Sequence, residues 1–202
     1  SIKLFLFCHT LIKNKYYLNL CKLFKLKYSL NKMDLKEKIL AGEIFVYPTD
    51  TIYGLGCNAL DVVAVSKLKE IKMRDKDKPL SVIAPSKQWI LDNCVVEEEL
   101  VDKYLPGPYT LLLKKKYFNF LFECSETELI GVRIPDNDFT REIQESGVPF
   151  ITTSVNVSGE SSITKISELP EKLIERVDHI VDVGPLNGKP STLVLNGKEI
   201  SR

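Results

Sequence analysis

The chain has 202 residues, with 28 Lys+Arg against 27 Asp+Glu and a formal net charge of +1. That length suits one domain with a short appendage and is enough to bury a core. Apolar residues make up 44% and charged residues 27%, which excludes a disordered chain, a collagen or a coiled coil, and near-neutral charge removes any bulk attraction to nucleic acid or membrane.

The charge is uneven along the chain. Residues 1–32 hold seven of the lysines and no acid, which leaves 21 bases against 27 acids in the remainder. The same stretch lacks Val, Ala, Gly, Pro, Arg and Gln, the composition expected of translated AT-rich DNA. The domain is therefore expected to run over 33–202. Residues 1–32 read as a basic extension, either a mis-called start or a disordered segment, whose removal should change the melting temperature little. A targeting peptide or interfacial helix is the rival, but lysines interrupt every apolar run and no small-residue cleavage site precedes Met33.

No stretch is apolar enough over about 18 residues to predict a transmembrane helix. The five cysteines, Cys8, Cys21, Cys57, Cys94 and Cys124, form no CxxC pair, so they predict neither a disulfide framework nor a zinc site and fit a reducing cytoplasm. His9 and His179 are the only histidines, and a catalytic triad or histidine metal site would have to rest on His179, in an ordinary amphipathic segment.

From Met33 the periodicity alternates between helix and strand. Asp34 reads as an N-cap, with Leu35, Ile39 and Leu40 as a stripe and Gly42 as the stop. Ile44 to Tyr47 reads as a buried strand. Asp61 caps a helix carrying Val62, Val65, Leu68 and Ile71 on one face. Leu80 to Ala84 is a short strand, and Gln88–Val95 and Glu97–Tyr104 are helices. Strands follow at Tyr109–Leu113 and Ile130–Ile134, then a helix from Asp136 to Glu145 closed by Gly147. Phe150–Val155 is a strand, Leu169–Val177 a helix, and Ile180–Val183 and Thr192–Leu195 the last strands. About seven strands with interleaved helices predict a single α/β domain with a twisted mixed sheet.

Four segments could carry chemistry. In Tyr47-Pro48-Thr49-Asp50-Thr51-Ile52-Tyr53-Gly54-Leu55-Gly56, a strand runs into hydroxyls, one carboxylate and two glycines that let backbone approach a ligand. The plainer reading is a hydroxyl-rich turn with Asp50 bonding its own backbone. Gly54-x-Gly56-x-x-Ala59 mimics a dinucleotide fingerprint but follows a polar loop rather than a strand.

Lys72-Met73-Arg74, past a helix end, could converge on a polyphosphate, although spacing alone is met as simply by cations at a helix C-terminus. Arg133 sits inside the apolar strand Gly131-Val132-Arg133-Ile134, where burial demands an anion; a structural carboxylate and a substrate carboxylate both meet the demand. Thr152-Thr153-Ser154-Val155-Asn156-Val157-Ser158-Gly159 is a poor core strand and a good lining for a polar ligand. Gly184-x-x-x-Gly188-Lys189-Pro190 has the wrong spacing for a phosphate-binding loop.

Taken in order, PTDTIYGLG, KMR with DKPLSV, PGPYTLLL, GVRIP and TTSVNVSGE resemble the YrdC-like threonylcarbamoyl-AMP synthases from about Ile44 to Thr192. The resemblance implies a twisted α/β domain around a large open cavity. It implies synthesis of L-threonylcarbamoyl-AMP from L-threonine, bicarbonate and ATP with release of pyrophosphate, the product serving the modification of adenosine 37 in tRNAs reading ANN codons. A separate tRNA threonylcarbamoyl transferase complex would receive the product, so any tRNA contact is expected to be indirect, and no membrane is involved.

The resemblance puts Lys72 and Arg74 at the ATP phosphates, with Ser154, Asn156, Ser162 and Arg202 also facing the nucleotide. Thr49, Tyr53, Arg133, Thr152 and Ser191 would contact threonine, Arg133 through its carboxylate. Mg2+ is expected on the ATP, without a protein-built site or an organic cofactor. Met73 departs from the small residue common between the two bases. The alternatives are a non-catalytic RNA-binding domain of this type and a carbamoyl-AMP-handling domain of hydrogenase maturation. The acidic balance of 33–202 weighs against the first, and the absence of CxxC pairs against the second.

Overall fold

A computed structural model describes residues 32–73, 78–156, 161–186 and 188–200, with side chains from Leu35 onward. The expectation for residues 1–32 therefore falls almost wholly outside the described residues.

The first helix, α1 (Lys32–Leu40), opens before Met33, so Asp34 lies inside it rather than capping it. β1 (Phe45–Tyr47) follows, buried at all three positions, and pairs antiparallel with β2 (Gly54–Gly56). α2 (Val62–Ile71) is capped as the sequence predicts: Asp61 accepts from the backbone N–H groups of Val63 and Ala64, each at 3.0 Å. Its buried residues Ala64, Val65, Leu68 and Ile71 recur at i, i+1, i+4 and i+7, one face of a 3.6-residue helix. Asp61→Ala should cost about 1 kcal/mol in urea unfolding, and a change below about 0.3 kcal/mol would show that the cap contributes nothing beyond what a glycine offers.

β3 (Ser81–Ile83), α3 (Lys87–Asn93), β4 (Cys94–Val95), α4 (Glu98–Tyr104) and β5 (Tyr109–Lys115) come next. The predicted helix over Gln88–Val95 stops at Asn93 because Cys94 and Val95 leave it to pair with Lys115 and Lys114. β6 (Leu129–Arg133) leads to α5 (Asp138–Ser146), whose cap is Asn137 rather than Asp136. Asn137 Oδ1 accepts from Thr140 N at 2.9 Å while its amide donates to Pro48 O at 2.7 Å, a tie that Asp136, with no N–H on its side chain, could not make.

β7 (Phe150–Ser154) precedes a 3-10 turn at Ile166–Glu168 and the single turn α6 (Glu171–Ile174). The predicted helix over Leu169–Val177 is reduced to the single turn Glu171–Ile174, which starts after Pro170 at its N-cap. β8 (His179–Ile180), β9 (Thr192–Leu195) and β10 (Lys198–Ile200) complete the described chain.

Among the described residues the strands form one ten-stranded mixed sheet in the order β10-β9-β5-β6-β3-β7-β2-β1-β8, with β4 on β5. β1–β8, β3–β6 and β5–β9 are parallel, and the other pairs are antiparallel. The core gathers around an aromatic knot: Phe45 and Tyr47 lie against Phe139 and Phe150 with ring centroids 5.1–6.3 Å apart, Tyr47 stacked on Phe139 and the other pairs tilted or edge-on. α1 packs on α5. The α/β domain expected from the alternating periodicity is the one found.

Candidate functional site

Residues two apart on a strand share a face, and one face of this sheet presents hydroxyls from several strands among apolar side chains. Leu112 on β5, Gly131 on β6, Ser81 on β3 and Thr152 on β7 stand in register across four strands. They border a cavity of about 460 Å3 that also takes in Thr110, Arg133 and Ser154 from the same strands. Gly131 holds the centre of that floor. A Cβ there would lie 2.3 Å from Ser81 Oγ and 3.2 Å from Thr110 Cγ2. Gly131→Ala should therefore lower stability by about 1–3 kcal/mol through overpacking, read as a fall in Tm, and an unchanged Tm would mean that Ser81 simply rotates away.

The turn after β1 forms one wall. Thr49 and Thr51 are both buried, with their hydroxyls 2.8 Å apart, and Thr49 donates to Ile52 O at 2.7 Å. Asp50 does not bond its own turn. Its Oδ1 receives Arg133 Nη2 at 2.5 Å and its Oδ2 receives the N–H of Asp136 at 3.1 Å. Arg133 is only 5% exposed, and of the two anions the sequence left open, a structural carboxylate is present. Thr51 Oγ1 lies 3.4 Å from Arg133 Nη1.

A loop between β8 and β9 closes another side. Tyr53 lies along the cavity, but its hydroxyl is spent on that loop, donating to Gly184 O at 2.8 Å and accepting from Val183 N at 3.1 Å. Burial, with the charge of Asp182 adding to it, pushes the Tyr53 phenol up to about 12, so it is a neutral donor near pH 7. Gly188 lies so close to Thr51 that a Cβ would fall 1.9 Å from Thr51 O. Ser191 pairs its hydroxyl with Thr110 Oγ1 at 2.8 Å.

Lys72 ends α2 but is not a solvated helix-end cation. It is 1% exposed, and its Nζ donates to Ser154 O at 2.5 Å and Asn156 Oδ1 at 3.0 Å. Ser154 Oγ adds a bond to Asn156 Oδ1 at 2.7 Å. The Lys72 and Ser154/Asn156 motifs, 82 residues apart in the chain, thus meet at one edge of the cavity, with Ser154 bordering it and Lys72 behind. Among the predicted residues Thr49, Tyr53, Arg133, Thr152, Ser154 and Ser191 border the cavity, whereas buried Lys72 and half-buried Asn156 and Ser162 do not. Arg74 and Arg202 lie outside the described residues.

Sequence reasoning missed Thr51, Ser81 and Thr110 as cavity residues. Counting in twos from Arg133 to Gly131 marks the cavity face of β6, but the partner strands' register could not be read that way. Other reactive groups sit elsewhere. His179 stacks on Phe45 at 4.7 Å and pairs with Glu43. Cys57, Cys94 and Cys124 are buried free thiols, and burial pushes Cys94 up to about 11 and Cys124 up to about 12, the opposite of what a thiolate nucleophile needs. Among the described residues no cluster of His, Cys, Asp and Glu could hold a metal, and no helix is long and apolar enough to cross a membrane.

The Sua5/YciO/YrdC family model, described as "Telomere recombination", matches residues 37–201. A Methanocaldococcus jannaschii protein assigned as a threonylcarbamoyl-AMP synthase is 40% identical over 79% of this chain and 77% of its own length. The Mus musculus threonylcarbamoyl-AMP synthase is 32% identical over 76% of this chain and 56% of its own. In structure, P. abyssi Sua5 complexed with L-threonine superposes with a TM-score of 0.72 at 28% identity, covering 86% of this chain and 54% of that one. The chain thus spans little more than half of the mouse and P. abyssi relatives.

Proposed function

The chain belongs to the Sua5/YciO/YrdC family, and on that premise we propose that it is an enzyme that makes L-threonylcarbamoyl-AMP from L-threonine, bicarbonate and ATP, releasing pyrophosphate. The observation that carries this reading is the convergence of Arg133, Thr49, Thr152 and Ser154 on one cavity, with Lys72 bonded to Ser154 and Asn156 at its edge.

In this reading the guanidinium of Arg133 receives the amino-acid carboxylate, and the hydroxyls of Thr49 and Thr152 lie where a polar side chain can be read. Tyr53 serves by its ring and by fastening the loop at 182–184, and Ser191 completes the wall with Thr110. Lys72, Ser154 and Asn156 mark the nucleotide side, where Arg74, Ser162 and Arg202 are proposed to join them. Threonine's amine adds to bicarbonate and loses water to give a carbamate. The carbamate oxygen then attacks the α-phosphorus of ATP and pyrophosphate leaves. Such a sequence needs reactants held in line and cations opposite developing phosphate charge, not a protein nucleophile.

Mg2+ would arrive on the nucleotide. Asp50, on the turn that walls the cavity, is committed to Arg133 and Asp136, so phosphates and water would hold the ion, and no organic cofactor is invoked. The product would pass, in a cytoplasmic setting, to a transferase complex acting on ANN-decoding tRNAs. Incubating the protein with threonine, labelled bicarbonate and ATP tests the reading. An adenylate carrying the label, seen by mass spectrometry, is expected, and AMP or ADP alone would refute it.

A further inference from the structure

Asp50 spends both carboxylate oxygens on one junction: Oδ1 on Arg133 Nη2 and Oδ2 on the N–H of Asp136. A second tie runs beside it, from the Asn137 amide to Pro48 O. The 48–52 turn is thereby fastened to the chain on and beyond the end of β6. Thr49, Thr51 and Arg133 border the cavity and Asp50 does not, so the carboxylate stands behind the guanidinium rather than beside a ligand.

That placement has two physical consequences. A long, jointed Arg side chain is restrained at its tip, because Nη2 is held by Asp50 Oδ1 and Thr51 Oγ1 lies 3.4–3.5 Å from both terminal nitrogens. The charge of the guanidinium is also offset in a cavity that, on the reading above, must admit a triphosphate as well as an amino acid. An anion arriving at Arg133 is then selected by hydrogen-bond geometry more than by net charge.

We propose that Asp50 is a positioning residue for the amino-acid carboxylate, acting through Arg133. The inference rests on the proposed role of Arg133 and deepens it. The test compares the full-length chain with Asp50→Asn, Arg133→Ala and the double variant, measuring KM for threonine and for ATP separately. Asp50→Asn should raise the threonine KM roughly tenfold or more, leaving the ATP KM and kcat within about twofold, as loss of one partner of a buried charge pair does. In the Arg133→Ala background the same change should add little, because the Asn oxygen can still accept from the N–H of Asp136 and hold the turn, while the tie to Arg133 is already gone.

Both KM values rising together, a full further rise in the Arg133→Ala background, or a fall in the threonine KM would each overturn the proposal; the last would mean that net charge governs binding. If Asp50→Asn does not fold, Asp50→Glu keeps the charge at a longer reach. A raised threonine KM in that variant supports positioning, and an unchanged one refutes it. Wild-type turnover that ignores threonine would remove the functional reading and this inference together. Threonine-dependent wild-type turnover with an unaffected Asp50→Asn removes the inference alone.

Discussion

Arg133→Ala is expected to raise the threonine KM by roughly 10- to 100-fold, the range of about 1.5–3 kcal/mol for a hydrogen bond to a charged group. The ATP KM should move far less. The variant also leaves the half-buried Asp50 carboxylate without its cation, which costs about 1–3 kcal/mol of stability, so Tm must be followed alongside kinetics. Arg133→Lys separates the two effects: it keeps a charge for Asp50 but loses the planar fork. A raised threonine KM in Arg133→Lys at near-normal Tm assigns the fork to the substrate, whereas wild-type kinetics in that variant would leave Arg133 a structural partner of Asp50 only.

Lys72→Met should lower kcat/KM for ATP at least ~10-fold, because Ser154 and Asn156 at the cavity edge lose the cation that holds them. It should also cost about 1–3 kcal/mol of stability, because Ser154 O and Asn156 Oδ1 lose a buried donor. Isothermal titration with a non-hydrolysable ATP analogue and thermal unfolding read the two losses independently. Unchanged nucleotide affinity with lowered Tm would make Lys72 a brace between α2 and β7 and nothing more.

How much of this was written in the sequence depended on distance along the chain. Asp61 capping α2 and the Val65, Leu68, Ile71 stripe are local, set by one turn of helix, and they were readable directly. So was the polar character of Thr152 to Asn156, since a hydroxyl-rich strand end has few structural uses. The meeting of Lys72 with Ser154 and Asn156 was legible only through the resemblance to a family. Spacing alone was satisfied by a cation at a helix end, which has lower cost in isolation but is not what 1% exposure and two half-buried acceptors describe.

What stayed hidden was pairing. β2 is Gly-Leu-Gly, with almost no intrinsic strand preference; it forms because β1 and β7 supply hydrogen bonds on both edges. The partner of Arg133 lies 83 residues away, and nothing local distinguishes Asp50 bonding its own turn from Asp50 crossing to β6. Ser81 and Thr110 looked like ordinary strand residues until register put them beside Gly131.

The central claim is that one cavity joins an amino acid, bicarbonate and ATP, and pyrophosphate release measures it most directly. Rates with both threonine and bicarbonate present should exceed those lacking either one, and 2-aminobutyrate should be a far poorer substrate than threonine, because a site built to bond a hydroxyl leaves its partners unpaired without it. Pyrophosphate formed equally fast from threonine and ATP without bicarbonate would mean that the amino acid's own carboxylate is being adenylated, and would contradict the account.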